Sequence, residues 1–206
     1  MKRFCAPLVA ITAGLAVMLG TNPAHAHGLA QGGLVGGLTH PLLGLDHLFM
    51  LMAVGTAASC TSAQLLVWAL GGALVGALIG FTGWSAPSGE LLAALVISAV
   101  GALTLLAGRF ANTVTSDGIT SISGAVVAGG VAMHAMLHGL EAPKDSSTLI
   151  WWSGALISSL LVCGGTYLLL KKLPVSVSKA AAVAFLAIGG LLAFGPLGLL
   201  AGGAGA

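Results

Sequence analysis

The sequence predicts an all-α integral membrane protein: six transmembrane helices behind a cleaved signal peptide, the first helix broken near His40-Pro41. Three observations lead there. Of 206 residues, 57% are hydrophobic and only 6% charged, whereas a soluble domain carries about 25% charged residues to cover its water-facing surface. The mean hydropathy is correspondingly high, +1.07. Apolar runs close to the ~20 residues that a bilayer core needs recur along the chain, separated by short connections with turn chemistry. The chain is thus a single membrane domain, 27–206, after a signal at 1–26, with no room for a second domain.

Met1–Ala26 has the three parts of a secretory signal. Lys2 and Arg3 form a positive start, Leu8–Leu19 is mostly apolar, and Ala24-His25-Ala26 is a small-x-small cleavage site. Cleavage leaves His27 at the new terminus, where a free α-amine beside an imidazole can capture a divalent metal; a solvated terminal histidine is the plain alternative. The six apolar segments then fall at about Leu29–Ala58, Ala63–Thr82, Glu90–Gly108, Gly118–Leu140, Leu149–Leu170 and Ala180–Leu200. If the mature N-terminus lies outside, the inside connections hold Arg109, Lys171, Lys172 and Lys179, against Lys144 alone outside. That bias agrees with the positive-inside rule. Trp84, Trp151 and Trp152 fall near span ends, where aromatic anchors sit.

The 32 glycines are concentrated in the spans, among them Gly72, Gly76, Gly80, Gly124 and Gly130. At helical spacing they are packing surfaces that let helices approach closely. Cys60 and Cys163 lie in no paired pattern and read as small apolar residues. There is no basic stripe with interleaved aromatics, which argues against a nucleic-acid partner, and no Walker-type glycine–lysine loop for ATP hydrolysis.

The stretch Gly36–Gly55 places His40, Asp46 and His47 inside an apolar segment. A charged aspartate at mid-membrane costs about 2.5–3.5 kcal/mol on insertion scales, so such groups face a protein interior or an aqueous cavity. Pro41 removes a backbone donor and Gly44 loosens the helix again; a broken helix with ionisable groups at the break is how many transporters build an ion site. Seven steps of about 100° bring His40 and His47 within roughly 20° of the same direction.

The fourth segment ends in Met133-His134-Ala135-Met136-Leu137-His138-Gly139-Leu140-Glu141. His134 and His138 are one turn apart on one face, the spacing that lets two imidazoles share a metal. Glu141 extends that stripe as a ligand or as an acceptor for a histidine N–H, and Met136 points elsewhere as packing. Imidazole and carboxylate together suit nickel, cobalt, zinc or copper(II), while magnesium and calcium prefer all-oxygen shells. The two clusters occupy corresponding places, the first and fourth of six spans, each after a glycine pair; this is the pattern of a three-plus-three inverted repeat.

The run His40-Pro41-Leu42-Leu43-Gly44-Leu45-Asp46-His47 resembles the HPxxGxDH signature of the HupE/UreJ family, and His134–Glu141 is similar to its second motif, HGxxHGxE. The likeness covers essentially the whole chain. Ala135 stands where the motif has glycine and Met50 where alanine is expected; the latter alters either the metal path or the packing. The nickel–cobalt transporter family has one residue less between its first histidine and its aspartate, and this chain does not match it. Membership implies a nickel permease, sometimes handling cobalt, often associated with hydrogenase or urease maturation. It implies that metal transit depends on His40, Asp46, His47, His138 and Glu141, with His134 matching too.

The leading expectation is therefore a permease of the bacterial cytoplasmic membrane, N-terminus outside, that carries a divalent transition metal inward and has no prosthetic group, its partners being the metal ion and the lipid bilayer. An intramembrane zinc hydrolase is the alternative from another class, since several histidines and a carboxylate can hold zinc with an open position. A non-transporting metal-binding accessory is the third. Nickel against cobalt, ion coupling and oligomeric state are left open by the sequence.

Overall fold

The computed structural model describes residues 32–110 and 115–194, and among them every regular element is an α-helix. The expected signal at 1–26 and His27 lie outside the described residues. Seven helices follow in order: α1 (Gly33–Leu43), α2 (Leu45–Cys60), α3 (Gln64–Phe81), α4 (Gly89–Phe110), α5 (Ser116–Glu141), α6 (Thr148–Leu170) and α7 (Val175–Ala193). Five of them, α3 to α7, are long and apolar enough to cross a bilayer, and α1 with α2 makes a sixth span if the bent pair counts as one.

The break in that first span lies at Gly44 and not at His40-Pro41. The helix runs through Pro41 to Leu43, and the Gly44 N–H closes the last turn on the His40 carbonyl. Proline removes a single hydrogen bond, which this turn survives; Gly44 then leaves the helical region at φ −74° and ψ 107°, and α1 and α2 diverge by 74°. The last span also begins earlier than Ala180: α7 starts at Val175, directly after Pro174, so Lys179 lies within the helix. Proline suits a helix start because its missing N–H would be unsatisfied there anyway. α5 begins on a side-chain cap, the Gly118 N–H donating to Thr115 Oγ1 at 3.1 Å.

The helices associate as three pairs around α2: α3 along α5, α4 along α7 and α1 along α6. α2 is the axis, with Met50, Ala53, Val54, Ala57 and Ala58 all buried. Outward, large apolar side chains such as Leu78 (68% exposed) and Leu161 stand free on the bundle surface, as they must where the solvent is hydrocarbon.

Glycine does the expected packing work most clearly between α3 and α5. A Cβ at Gly72, Gly76 or Gly80 would overlap the backbone carbonyl of Ala128, Ala132 or Met136 respectively. One face of α3 thus lies directly on the backbone of α5, in a seam repeating every four residues. The α1–α6 pair is made the same way: Gly37 lies on the Trp151 backbone, and Gly154 on that of Leu34 and Leu38. Gly71, Gly129, Gly164 and Gly165 have no neighbour at the Cβ position and take no part in these seams.

Candidate metal centre

The three helix pairs bring the two histidine clusters to one place. His40 arrives on α1, Asp46 and His47 on the first turn of α2, and His134, His138 and Glu141 on the last two turns of α5. His40 Nε2 lies 2.9 Å from His138 Nδ1, and His47 Nε2 lies 3.2 Å from the same atom. One ligand nitrogen from each of these three residues falls within 4.8 Å of the others. Glu141 Oε2 is 3.5 Å from His138 Nδ1 and 4.0 Å from His40 Nε2. His138 Nδ1 is therefore the hub of the cluster.

The spacing has a direct chemical reading. A neutral imidazole carries one N–H, so His138 Nδ1 can serve only one neighbour by hydrogen bonding. A cation placed among these nitrogens would satisfy them together. Two nitrogens each about 2.1 Å from one ion, at a right angle, lie about 3.0 Å apart, close to the separations seen here.

Asp46 sets which nitrogen His47 presents. Its Oδ1 accepts from His47 Nδ1 at 2.7 Å, and because a carboxylate only accepts, the proton resides on Nδ1 and Nε2 is left bare toward the cluster. Gly44 makes this pair fit: a Cβ there would come within 2.9 Å of His47 Nδ1 and 3.4 Å of Asp46 Oδ1. The residue that breaks the first span is thus also the one that leaves room for its aspartate–histidine pair. His134 sits one turn before His138, its Nε2 3.9 Å from Asp46 Oδ2 and its ring 5.5 Å from that of His47. Asp46 consequently touches the three-nitrogen cluster through His47 rather than at its centre.

Trp151 is a part of this site that the sequence did not announce. Its position near a span end suggested a lipid-interface anchor; instead it is fully buried, its ring 5.0 Å from that of His40. The cause is the α1–α6 seam, which draws the start of α6 against His40. The only trace in the sequence is a pair of small residues, Gly37 and Gly154, that nothing in the sequence matches to each other. Trp152 stacks edge-on against Trp151 and also packs on Phe81. Trp84, 56% exposed, keeps the position of an anchor.

A cavity of about 670 Å³ adjoins the cluster, between α3 and α6. His40, His47, His134 and His138 stand at one end, and it reaches Cys163, twelve residues or about 18 Å along α6 from Trp151. Its remaining walls are almost entirely apolar. Met50, 2% exposed, lines it as well, with Cys163 donating its S–H to the Leu51 carbonyl at 3.3 Å.

Residues 15–195 match the family model described as HupE / UreJ protein. The chain is 31% identical to Protein HupE of Rhizobium leguminosarum bv. viciae over 159 residues, which is 74% of this chain and 78% of that protein. No solved structure matches it. On the breadth of that match, this multi-pass membrane protein is a member of the HupE/UreJ family.

Proposed function

We propose that this chain is a permease carrying a divalent transition metal, nickel or cobalt, across the bacterial cytoplasmic membrane into the cell, and that it has no catalytic role. One observation carries the reading: imidazole nitrogens 98 and 91 positions apart in sequence converge at 2.9 and 3.2 Å inside a membrane bundle. Groups so costly to place in hydrocarbon are best accounted for by a cation they hold in passage.

The distances support a division of roles. His40 Nε2, His47 Nε2 and His138 Nδ1 would take the ion, with Glu141 closing the shell from the end of α5. Asp46 orients His47. Passage requires ligands strong enough to replace water and weak enough to release the ion, and neutral imidazoles with one or two carboxylates meet that better than thiolates. In the orientation favoured by the lysine and arginine distribution, the connection between α5 and α6 faces outside, so the cluster lies near the entry side. His27 is a first capture point on that face. A three-plus-three inverted repeat belongs to this reading, supported by a histidine motif on the first span of each half, as does a link to hydrogenase or urease maturation.

The test is metal uptake into proteoliposomes holding the purified protein, wild type beside Asp46→Asn and His47→Ala. Saturable nickel or cobalt entry, reduced at least tenfold by both substitutions, supports the permease. Tight stoichiometric binding without entry would sink it.

A further inference from the structure

The two carboxylate oxygens of Asp46 are directed at different imidazoles. Oδ1 is committed to His47 Nδ1 at 2.7 Å. Oδ2 lies 3.9 Å from His134 Nε2, beyond the reach of a hydrogen bond. His134 is not in the three-nitrogen cluster; it precedes His138 by one helical turn, about 6 Å along the axis of α5. Its side chain is 6% exposed, and Nε2 is buried with no hydrogen-bond partner. Leaving a buried polar atom in that state costs about 1–3 kcal/mol.

The gap has the size of an ion. Bonds of about 2.0–2.2 Å are normal from a borderline divalent cation to imidazole nitrogen and carboxylate oxygen, and two such bonds at a wide angle span a separation near 3.9 Å. The next turn of α5 away from His138 offers Gly130, where the methyl end of Met50 would lie 3.2 Å from a Cβ. Past His134, this wall of the site presents glycine and a thioether instead of nitrogen and oxygen.

We propose that His134 Nε2 and Asp46 Oδ2 form a second coordination position, deeper in the bundle than the three-histidine cluster and taking the same class of divalent cation. The inference rests on the permease reading and deepens it. Asp46 couples the two positions, holding His47 in its ligating tautomer with one oxygen and offering the other to the ion that has moved on. Two adjacent positions also account for release, because an ion at the second repels the next ion at the first, as in multi-site conduction.

Equilibrium dialysis of purified protein against nickel, absorption spectra with cobalt, and proteoliposome uptake, on wild type, His134→Gln and His138→Gln, test this. Wild type is expected to bind two ions per chain, the second at least tenfold more weakly. His134→Gln should lose the weak ion, keep the tight one with its Kd within twofold and its cobalt spectrum unchanged, and lose at least tenfold in uptake; that retained spectrum shows that the variant is folded. His138→Gln should lose the tight ion. A single ion in wild type, a weakened tight ion in His134→Gln, or undiminished uptake by that variant overturns the proposal. Two ions bound by a wild type that transports nothing would overturn the permease and leave the second position standing.

Discussion

Asp46 Oδ1 and His47 Nδ1 are 2.7 Å apart on the first turn of α2, and this one hydrogen bond decides that His47 turns Nε2 toward His138. Adjacent residues on a helix normally point apart by about 100°, so the pair forms only because α2 starts there and Gly44 has no side chain. Partners of this kind typically contribute 10–100-fold to metal affinity. On the proposed permease reading, Asp46→Asn is therefore expected to weaken nickel binding by about that factor, read by titration calorimetry, while His47→Ala, which removes a nitrogen of the cluster, weakens it further. Equal affinities for Asp46→Asn and wild type would refute the orienting role.

Gly44→Ala tests the room left for that pair. The new methyl must displace His47 Nδ1, 2.9 Å away. Since φ at Gly44 is −74°, alanine suffers no left-handed strain, and the variant should fold with near-wild-type thermal stability. Uptake should nevertheless fall several-fold. A loss of stability matching the loss of uptake would assign Gly44 to folding alone.

The seam between α3 and α5 predicts a stability effect far from any ligand. Gly76→Leu must separate two backbones and should cost at least the 1–3 kcal/mol typical of overpacking, lowering the unfolding midpoint and, by moving α5, uptake as well. Gly71→Ala and Gly129→Ala face open space and should be neutral or stabilise by about 0.5–1 kcal/mol through helix propensity. Comparable losses at Gly71 and Gly76 would count against the seam.

Much of this architecture was legible in the sequence, and for physical reasons. Span existence followed from apolar length, and the meeting of His40, His47 and His138 was foreshadowed by ionisable groups that hydrocarbon does not tolerate singly. What the sequence obscured were choices decided between helices. Pro41 reads as the stronger breaker than Gly44, but a lost hydrogen bond matters less here than the missing side chain of Gly44, which lets the chain turn beside a bulky aspartate–histidine pair. Trp151 looked like an anchor because burial by α1 depends on contacts at Gly37 and Gly154 that leave no local pattern. Val175 gives no clear start signal because the polar stretch around Lys179 resembles a loop.

Asp145 gives a pH-dependent prediction outside the membrane. The Ser147 hydroxyl and N–H donate to its Oδ1 at 2.6 and 2.8 Å, which holds its carboxyl below the usual carboxylate range. A depressed folded-state value means stability present above the ordinary carboxylate range and lost as pH falls through the lowered value. Protection factors for amide exchange at the start of α6, taken relative to the intrinsic rate at each pH, should therefore fall on acidification in wild type, and already be low at neutral pH in Asp145→Ala. No change in that variant would remove Asp145 from the hold on α6.

Cysteine reactivity offers a check on orientation. Cys60 is exposed at the end of α2 and Cys163 is buried in α6. In oriented vesicles, a membrane-impermeant maleimide should label Cys60 from the cytoplasmic side only and leave Cys163 unmodified. Labelling of Cys60 from the opposite face would invert the topology.

The pairing of α1 with α6 has a consequence for the making of the protein. A ribosome releases His40 long before it has translated either His138 or the Trp151 that covers the His40 ring. Until the fifth span has entered the bilayer, α1 is a short polar-tipped helix without its lasting neighbour α6, with which it packs closely in the finished fold. The newborn chain thus lacks the converged imidazoles while it is still incomplete. The cluster is therefore completed late, only after both halves of the chain have entered the bilayer.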